Sequence, residues 1–104
     1  MRAAVDDGCD IVNLSLGGTS AKEDGVRDAV EFAWQNGVVC IAAAGNGGRR
    51  AVSFPARHPY AVAVSAVGKE SLIPEGAPDL QFVEPPRAEK DPDVFLAGFS
   101  NIGP

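Results

Sequence analysis

The sequence holds a single histidine and 2 cysteines, set far apart at Cys9 and Cys40. No tetrahedral zinc site can be assembled from that inventory, and neither a metal nor a cofactor is expected. The two thiols read as small hydrophobes in apolar settings rather than as a disulfide. Basic residues are outnumbered: 9 Lys and Arg face 14 Asp and Glu, for a formal net charge of -5. That balance gives no electrostatic support to a nucleic-acid partner or to an anionic membrane surface. No apolar run approaches the roughly 20 residues of a membrane-spanning helix. No basic-then-apolar leader is visible, so the sequence is silent on compartment. The 104 residues suffice for one small domain.

What is present is a strand–helix–strand pattern. "DIVNLSL" (residues 10–16) is a short aliphatic run stopped by Gly17 and Gly18, the signature of a buried strand. "MRAAVDDG" before it reads as the last turns of a helix closed by Gly8, so the chain is expected to begin inside an element. "SAKEDGVRDAVEFAWQNG" follows as the best helix. Ser20 and Glu23 stand at capping-box spacing. Val26, Ala29, Val30 and Ala33 form one apolar stripe, and Asn36-Gly37 closes the helix. "VVCIAAA" (residues 38–44) and "AVAVSAV" (residues 61–67) are two further strands, the latter apolar on both faces. Strand, helix and strand at this spacing make a βαβ unit with parallel strands. A parallel sheet is expected to be covered on both faces.

Residues 68–93 differ in kind. Pro74, Pro78, Pro85, Pro86 and Pro92 stand there among many acids. A continuous helix or central strand is not expected, and little apolar area is available to offset ordering entropy. The stretch reads as a solvated loop, with a partner-binding or cleft-covering loop as the alternative. "VFLAGFSNIGP" then returns to apolar structure.

The stretch "AAAGNGG" (residues 42–48) carries the chemistry. A dinucleotide-binding turn would need a third glycine opening a helix, but Arg50 occupies that position and "AVSFPARHP" has no helical stripe. The alternative is a backbone-lined cleft. In parallel α/β sheets ligands sit beyond the carboxyl ends of the strands, and two strands here end in small residues: Leu16-Gly17-Gly18 and Ala43-Ala44-Gly45. Such a rim can pair with an extended peptide and leave room for a side chain. Asn46 would offer an amide N–H to a developing oxyanion. Close packing with an ordinary turn asparagine explains the same residues equally well at this point.

The motifs "DIVNLSLGG", "GVVCIAAAGNGG", "SFPARHPYAVAVSAV" and "FSNIGP", in this order with a helix between the first two, resemble the subtilisin-like serine peptidases. The likeness runs from about Ala3 to Val67 and resumes at Phe99. It implies an α/β fold, part of a three-layer α/β/α sandwich with a parallel sheet. It also implies that residues 1–104 are the middle of a peptidase domain, with residues 68–96 as an insertion. By this resemblance Asn46 matches the side-chain donor of the oxyanion hole. Ser15, Leu16 and Gly17 match the strand that pairs with the substrate backbone. Ala43, Ala44 and Gly45 match a wall of the primary specificity pocket, and Phe54–Pro55 matches a cis peptide bond.

The family's catalytic triad has no counterpart here. No serine sits in a Gly-Thr-Ser-Met-Ala context, no carboxylate has the setting of the triad Asp, and His58 lies in "PARHPY" between prolines. The implied activity is peptide-bond hydrolysis in an intact protein, with a peptide or protein substrate. The segment alone is expected to be inactive. The rival reading is a non-catalytic peptide-binding domain that keeps the rim without a triad. Either way, truncation of the sheet implies self-association through an open edge at residues 10–16 or through the helix face bearing Trp34.

Overall fold

The computed structural model describes residues 1–18, 24–77 and 87–103. Its elements, in chain order, are α1 (Arg2–Asp6), β1 (Ile11–Leu14), α2 (Asp24–Gln35), β2 (Val39–Ala43), β3 (Ala61–Val64), β4 (Val67–Lys69) and β5 (Val94–Leu96), with a short 3-10 turn at Glu70–Leu72. The first three strands form one sheet in the order β1-β2-β3, parallel throughout. The register pairs Val12 with Cys40 and Cys40 with Ala61, so these three side chains share a face.

Both helices pack on that face. Val30 and Ala33 of α2 are fully buried with Val38 and Cys40, and Met1, Val5, Val12 and Ala61 pack against them. This is the apolar stripe read from the spacing of α2. The capping-box pair Ser20 and Glu23 lies outside the described residues. Each helix ends on a glycine with positive φ, Gly8 at 78° and Gly37 at 76°. At α2 the Val38 N–H donates to Ala33 O at 2.9 Å and the Gly37 N–H to Trp34 O at 3.0 Å. That pair of bonds satisfies the last carbonyls and turns the chain into β2.

Coverage of both sheet faces was expected, and among the described residues it does not hold. The opposite face carries Ile11, Val39, Val62 and Val64, of which Ile11, Val62 and Val64 are 58%, 51% and 50% exposed. The reason lies in the connections. The β1–β2 crossover supplies α2 to one side, while the β2–β3 connection (residues 44–60) contains no helix to supply the other. Cys9 is exposed, unlike the buried thiol expected there. Cys40 is buried as expected, and burial pushes its thiol up from its ordinary range, which leaves it a small hydrophobe.

The strand expected over residues 61–67 divides in two. β3 stops at Val64, and β4 starts at Val67 in a different sheet, antiparallel to β5. The ladder pairs Val67 with Leu96, Gly68 with Phe95 and Lys69 with Val94. The stretch read as a solvated loop therefore has a structured base. The prolines spare residues 67–69 and 94–96, so the ladder loses no N–H donor. Asp93 pins the turn: its carboxylate accepts from the Ser71 N–H at 2.7 Å and from the Ser71 hydroxyl at 2.6 Å. Lys69 Nζ stands 3.5 Å from the same carboxylate, and Arg87 pairs with Glu70.

Candidate active site

A cleft of about 530 Å³ opens at the carboxyl ends of β1 and β2. One wall is the extended segment Ser15–Gly18. The other is Ala43 with the turn Gly45–Gly47, and Ala51–Ser53 closes the space between them. Outside the β1–β2 ladder, no hydrogen bond to a described residue uses the backbone of Ser15–Gly17. Gly18 is tied instead to the far side of the cleft, donating its N–H to Phe54 O at 3.0 Å.

The walls are small because they meet other groups at close range. Gly45 has φ 110°, and a Cβ there would stand 2.6 Å from both Asn101 Nδ2 and Ser53 Oγ. A Cβ at Gly17 would stand 2.7 Å from Ser53 Oγ. Ser53 is held from the other direction, its N–H donating to Ala44 O at 2.8 Å and its hydroxyl to the same oxygen at 3.0 Å. Ala44 itself is buried behind the wall and does not line the cleft.

Behind the turn lies the second apolar segment of the sequence, residues 99–103. The Gly48 N–H donates to Phe99 O at 2.8 Å, the Asn101 N–H to Gly45 O at 3.0 Å, and the Val52 N–H to Gly103 O at 2.8 Å. The Asn101 side chain completes the strut. Its Oδ1 accepts from the Gly47 N–H at 2.7 Å and its Nδ2 donates to Ala51 O at 2.9 Å. The strut is anchored in turn to the end of β3, where the Ala66 N–H donates to Ser100 Oγ at 3.0 Å. The strand break at Ser65–Ala66 thus presents backbone to the segment that backs the cleft.

Asn46 stands at the cleft, exposed, between these two braced glycines. No hydrogen bond to a described residue occupies its carboxamide. Its neighbours are fixed and its own donor is left open, the condition for donating to a ligand. The cleft therefore brings together Ser15, Leu16, Gly17, Ala43, Gly45 and Asn46 of the residues singled out from sequence. Asn101, Ser53 and Arg50 join them unannounced. A sequence signal for Asn101 existed only as part of "FSNIGP", with no hint of which atoms it would hold.

His58 does not line this cleft. It is buried beside α2, with Nδ1 accepting from the Tyr60 N–H at 3.2 Å and Nε2 standing 3.6 Å from Glu31 Oε1. The Phe54–Pro55 peptide bond is cis, as the resemblance implied. No cluster of His, Cys, Asp or Glu among the described residues could hold a metal ion.

A parallel sheet with helices, whose strand ends form a backbone-lined cleft with a carboxamide at its mouth, defines an α/β protein of the kind that places clefts beyond the carboxyl ends of its strands. The comparisons with known proteins agree. A model of the subtilase family matches residues 1–104, and the chain belongs to that family. It is 44% identical over 63 residues to thermitase from Thermoactinomyces vulgaris, covering 61% of this chain and 22% of thermitase. It is 39% identical over 100 residues to halolysin from Haloferax mediterranei, covering 96% of this chain and 15% of halolysin. Among solved structures, sphericase superposes with a TM-score of 0.61 at 29% identity, over 96% of this chain and 27% of that one. The prenylagaramide maturation protease PagA superposes at 0.66 with 24% identity, over 99% of this chain and 30% of that one, which shows the shared fold. The chain thus spans less than a third of the length of each of these relatives.

Proposed function

We propose that this segment is the substrate-binding and oxyanion-stabilising part of a serine endopeptidase. Peptide or protein substrate would lie along Ser15–Gly17 as an added strand, with one side chain entering between that wall and Ala43–Gly45. Attack on the scissile carbonyl places negative charge on its oxygen. The Asn46 carboxamide would donate an N–H to that oxygen, and the charge is stabilised most in the transition state. Nucleophile, base and orienting carboxylate of a Ser-His-Asp mechanism would come from elsewhere in the intact protein, since no serine or histidine in these 104 residues has the required setting.

The observation that carries this reading is the open carboxamide of Asn46 at the mouth of the cleft, flanked by glycines that hydrogen bonds hold in place. In the intact protein, Asn46→Ala should lower kcat by about 10²–10³ with a much smaller change in KM. The 104-residue chain alone should neither cleave a chromogenic peptide nor react with a serine-directed fluorophosphonate. If the intact protein binds peptides but never labels with the fluorophosphonate, the non-catalytic peptide-binding reading replaces this one.

A further inference from the structure

The chain is acidic, but the described lining of its cleft is not. Among the described residues no carboxylate lines it, and the charged ones on its surface are Arg50 and Arg57. Arg50 sits four residues after Asn46, and its side chain folds back over the turn. A Cβ built on Gly47 would stand 3.0 Å from Arg50 Cδ. The stem therefore lies along the wall that Gly45–Gly47 contributes, and the exposed Arg50 side chain lines the cleft there. No carboxylate among the described residues pairs with it. Arg57 adds a second positive charge on the cleft's surface, with its guanidinium 5.9 Å from the centre of the Phe54 ring. The remaining lining is small or neutral: glycines, alanines, Ser53 and Asn101.

From this we infer that the cleft selects an acidic side chain, Glu or Asp, at the substrate residue whose carbonyl faces Asn46. This rests on the peptidase reading above and adds to it the class of residue accepted. Small, apolar walls discriminate weakly among side chains that fit, because one methylene more or less changes binding little. A guanidinium on the cleft wall discriminates by charge. It forms charge-assisted, often bidentate, bonds with a carboxylate and repels an ammonium. Each partner's other option is water, and a half-enclosed cleft makes that exchange less even than at an open surface. The opposite sign of the cleft and of the chain's net charge keeps the effect local. A long-range field from a chain of charge -5 would disfavour an acidic substrate, so any preference for one must come from local contact with Arg50.

The test uses the intact protein and blocked peptides that differ only at the residue before the scissile bond: Glu, its neutral isostere Gln, Leu and Lys. The expected kcat/KM for Glu exceeds that for Gln about fivefold to tenfold at low ionic strength, with Lys the poorest of the four. That ratio should shrink as salt is raised, because the screening length falls from about 10 Å at 0.1 M to about 3 Å at 1 M. Arg50→Gln should bring the Glu-to-Gln ratio close to parity, Arg50→Lys should retain part of it, and Arg50→Glu should move the preference toward Lys. A Glu-to-Gln ratio at or below parity, or one that Arg50→Gln leaves unchanged, overturns the proposal while the peptidase reading stands. If none of the peptides is cleaved, the peptidase reading fails. Calorimetric binding of the same four peptides then decides the selectivity: tighter binding of Glu than Gln, lost in Arg50→Gln, supports it, and equal binding overturns it.

Discussion

The carboxamide oxygen of Asn101 accepts the N–H of Gly47 at 2.7 Å, across 54 positions of sequence. This contact fixes the residue immediately after Asn46. Through its Nδ2 bond to Ala51 O at 2.9 Å, the same side chain also spans the turn from its start to its end. Asn101 is itself buried, and both ends of its carboxamide are used. It acts as a positioning residue: although it lines the cleft, its carboxamide is committed to the turn and sets where the Asn46 donor stands.

Asn101→Ala should therefore cost stability and turnover together. It leaves the Gly47 N–H and the Ala51 carbonyl without their partner, at about 1–3 kcal/mol for each group that stays buried. Urea unfolding should show a lowered midpoint with an unchanged slope. In the intact protein kcat should fall more than KM rises, because a displaced donor is felt most in the transition state. Asn101→Asp keeps an acceptor for Gly47 but turns a carboxylate oxygen toward Ala51 O, so it should not restore the wild type. Full activity in Asn101→Ala would show that the backbone bonds of residues 99–103 hold the turn unaided.

The two close-approach glycines should respond differently to a second substitution. Gly17→Ala places its Cβ 2.7 Å from Ser53 Oγ, the end of a side chain, while Ser53 Cβ is at an ordinary 3.6 Å. Removing that hydroxyl in Gly17→Ala/Ser53→Ala should recover much of the lost stability; the Phe54 carbonyl at 3.2 Å keeps the recovery partial. Gly45→Ala meets Asn101 as well as Ser53 and adds a left-handed backbone at φ 110°. Ser53→Ala should not rescue it. Equal rescue at both positions, measured as unfolding free energies in a double-mutant cycle, would contradict the described geometry.

How much of this was legible in sequence follows the range of each interaction. The βαβ unit rests on local periodicity, so α2, β1, β2 and the glycine ends of both helices are readable directly. The cleft follows from where the strands stop in small residues. The strut is not readable, because the Asn101–Gly47 bond joins segments far apart and nothing in either announces the other. Arg50 figures in the sequence only as the residue that spoils a nucleotide-binding glycine pattern. Its place on the cleft depends on the turn folding back over Gly47. Pairing of β4 with β5 is hidden for a related reason. Val67–Lys69 continues an apolar run that reads as one strand, and the break at Ser65–Ala66 is set by the contact with Ser100, again distant in sequence.

Acid should loosen the β4–β5 base before it affects the parallel sheet. Hydrogen bonds from the Ser71 hydroxyl and then the Ser71 N–H, with Lys69 nearby, hold the Asp93 carboxyl below its usual range. A carboxyl depressed in the folded state stabilises it fully above the unfolded value of about 3.9, and that contribution is lost as pH falls through the lower folded value. Amide protection at Ser71 and Glu70 should be flat from neutral pH to about 4 and decline below it. Asp93→Asn should show low protection already at neutral pH. Protection that declines between pH 5 and 7 would assign control to a different group.

The open sheet face should make the 104-residue chain associate with itself. Register places Ile11 beside Val39, Ile41 beside Val62 and Ala43 beside Val64, so the apolar side chains adjoin across all three strands. Contiguous apolar surface of this kind is rarely left to water. The outer edge of β1, unpaired among the described residues, adds backbone donors and acceptors next to it. The helix side is the weaker candidate, because Trp34 already has a partner: its ring stacks on Tyr60 with centroids 5.1 Å apart and planes 4° from parallel. Sedimentation over a concentration series should show a dimer or larger species that dissociates on dilution. Val62→Lys puts a charge at the centre of the face, where it is 51% exposed and so accommodated in the monomer, and should shift the equilibrium toward monomer. Trp34→Ala should leave association largely intact. A chain that stays monomeric at every concentration and unfolds cooperatively would show that the one-sided core is sufficient and that the open face needs no cover.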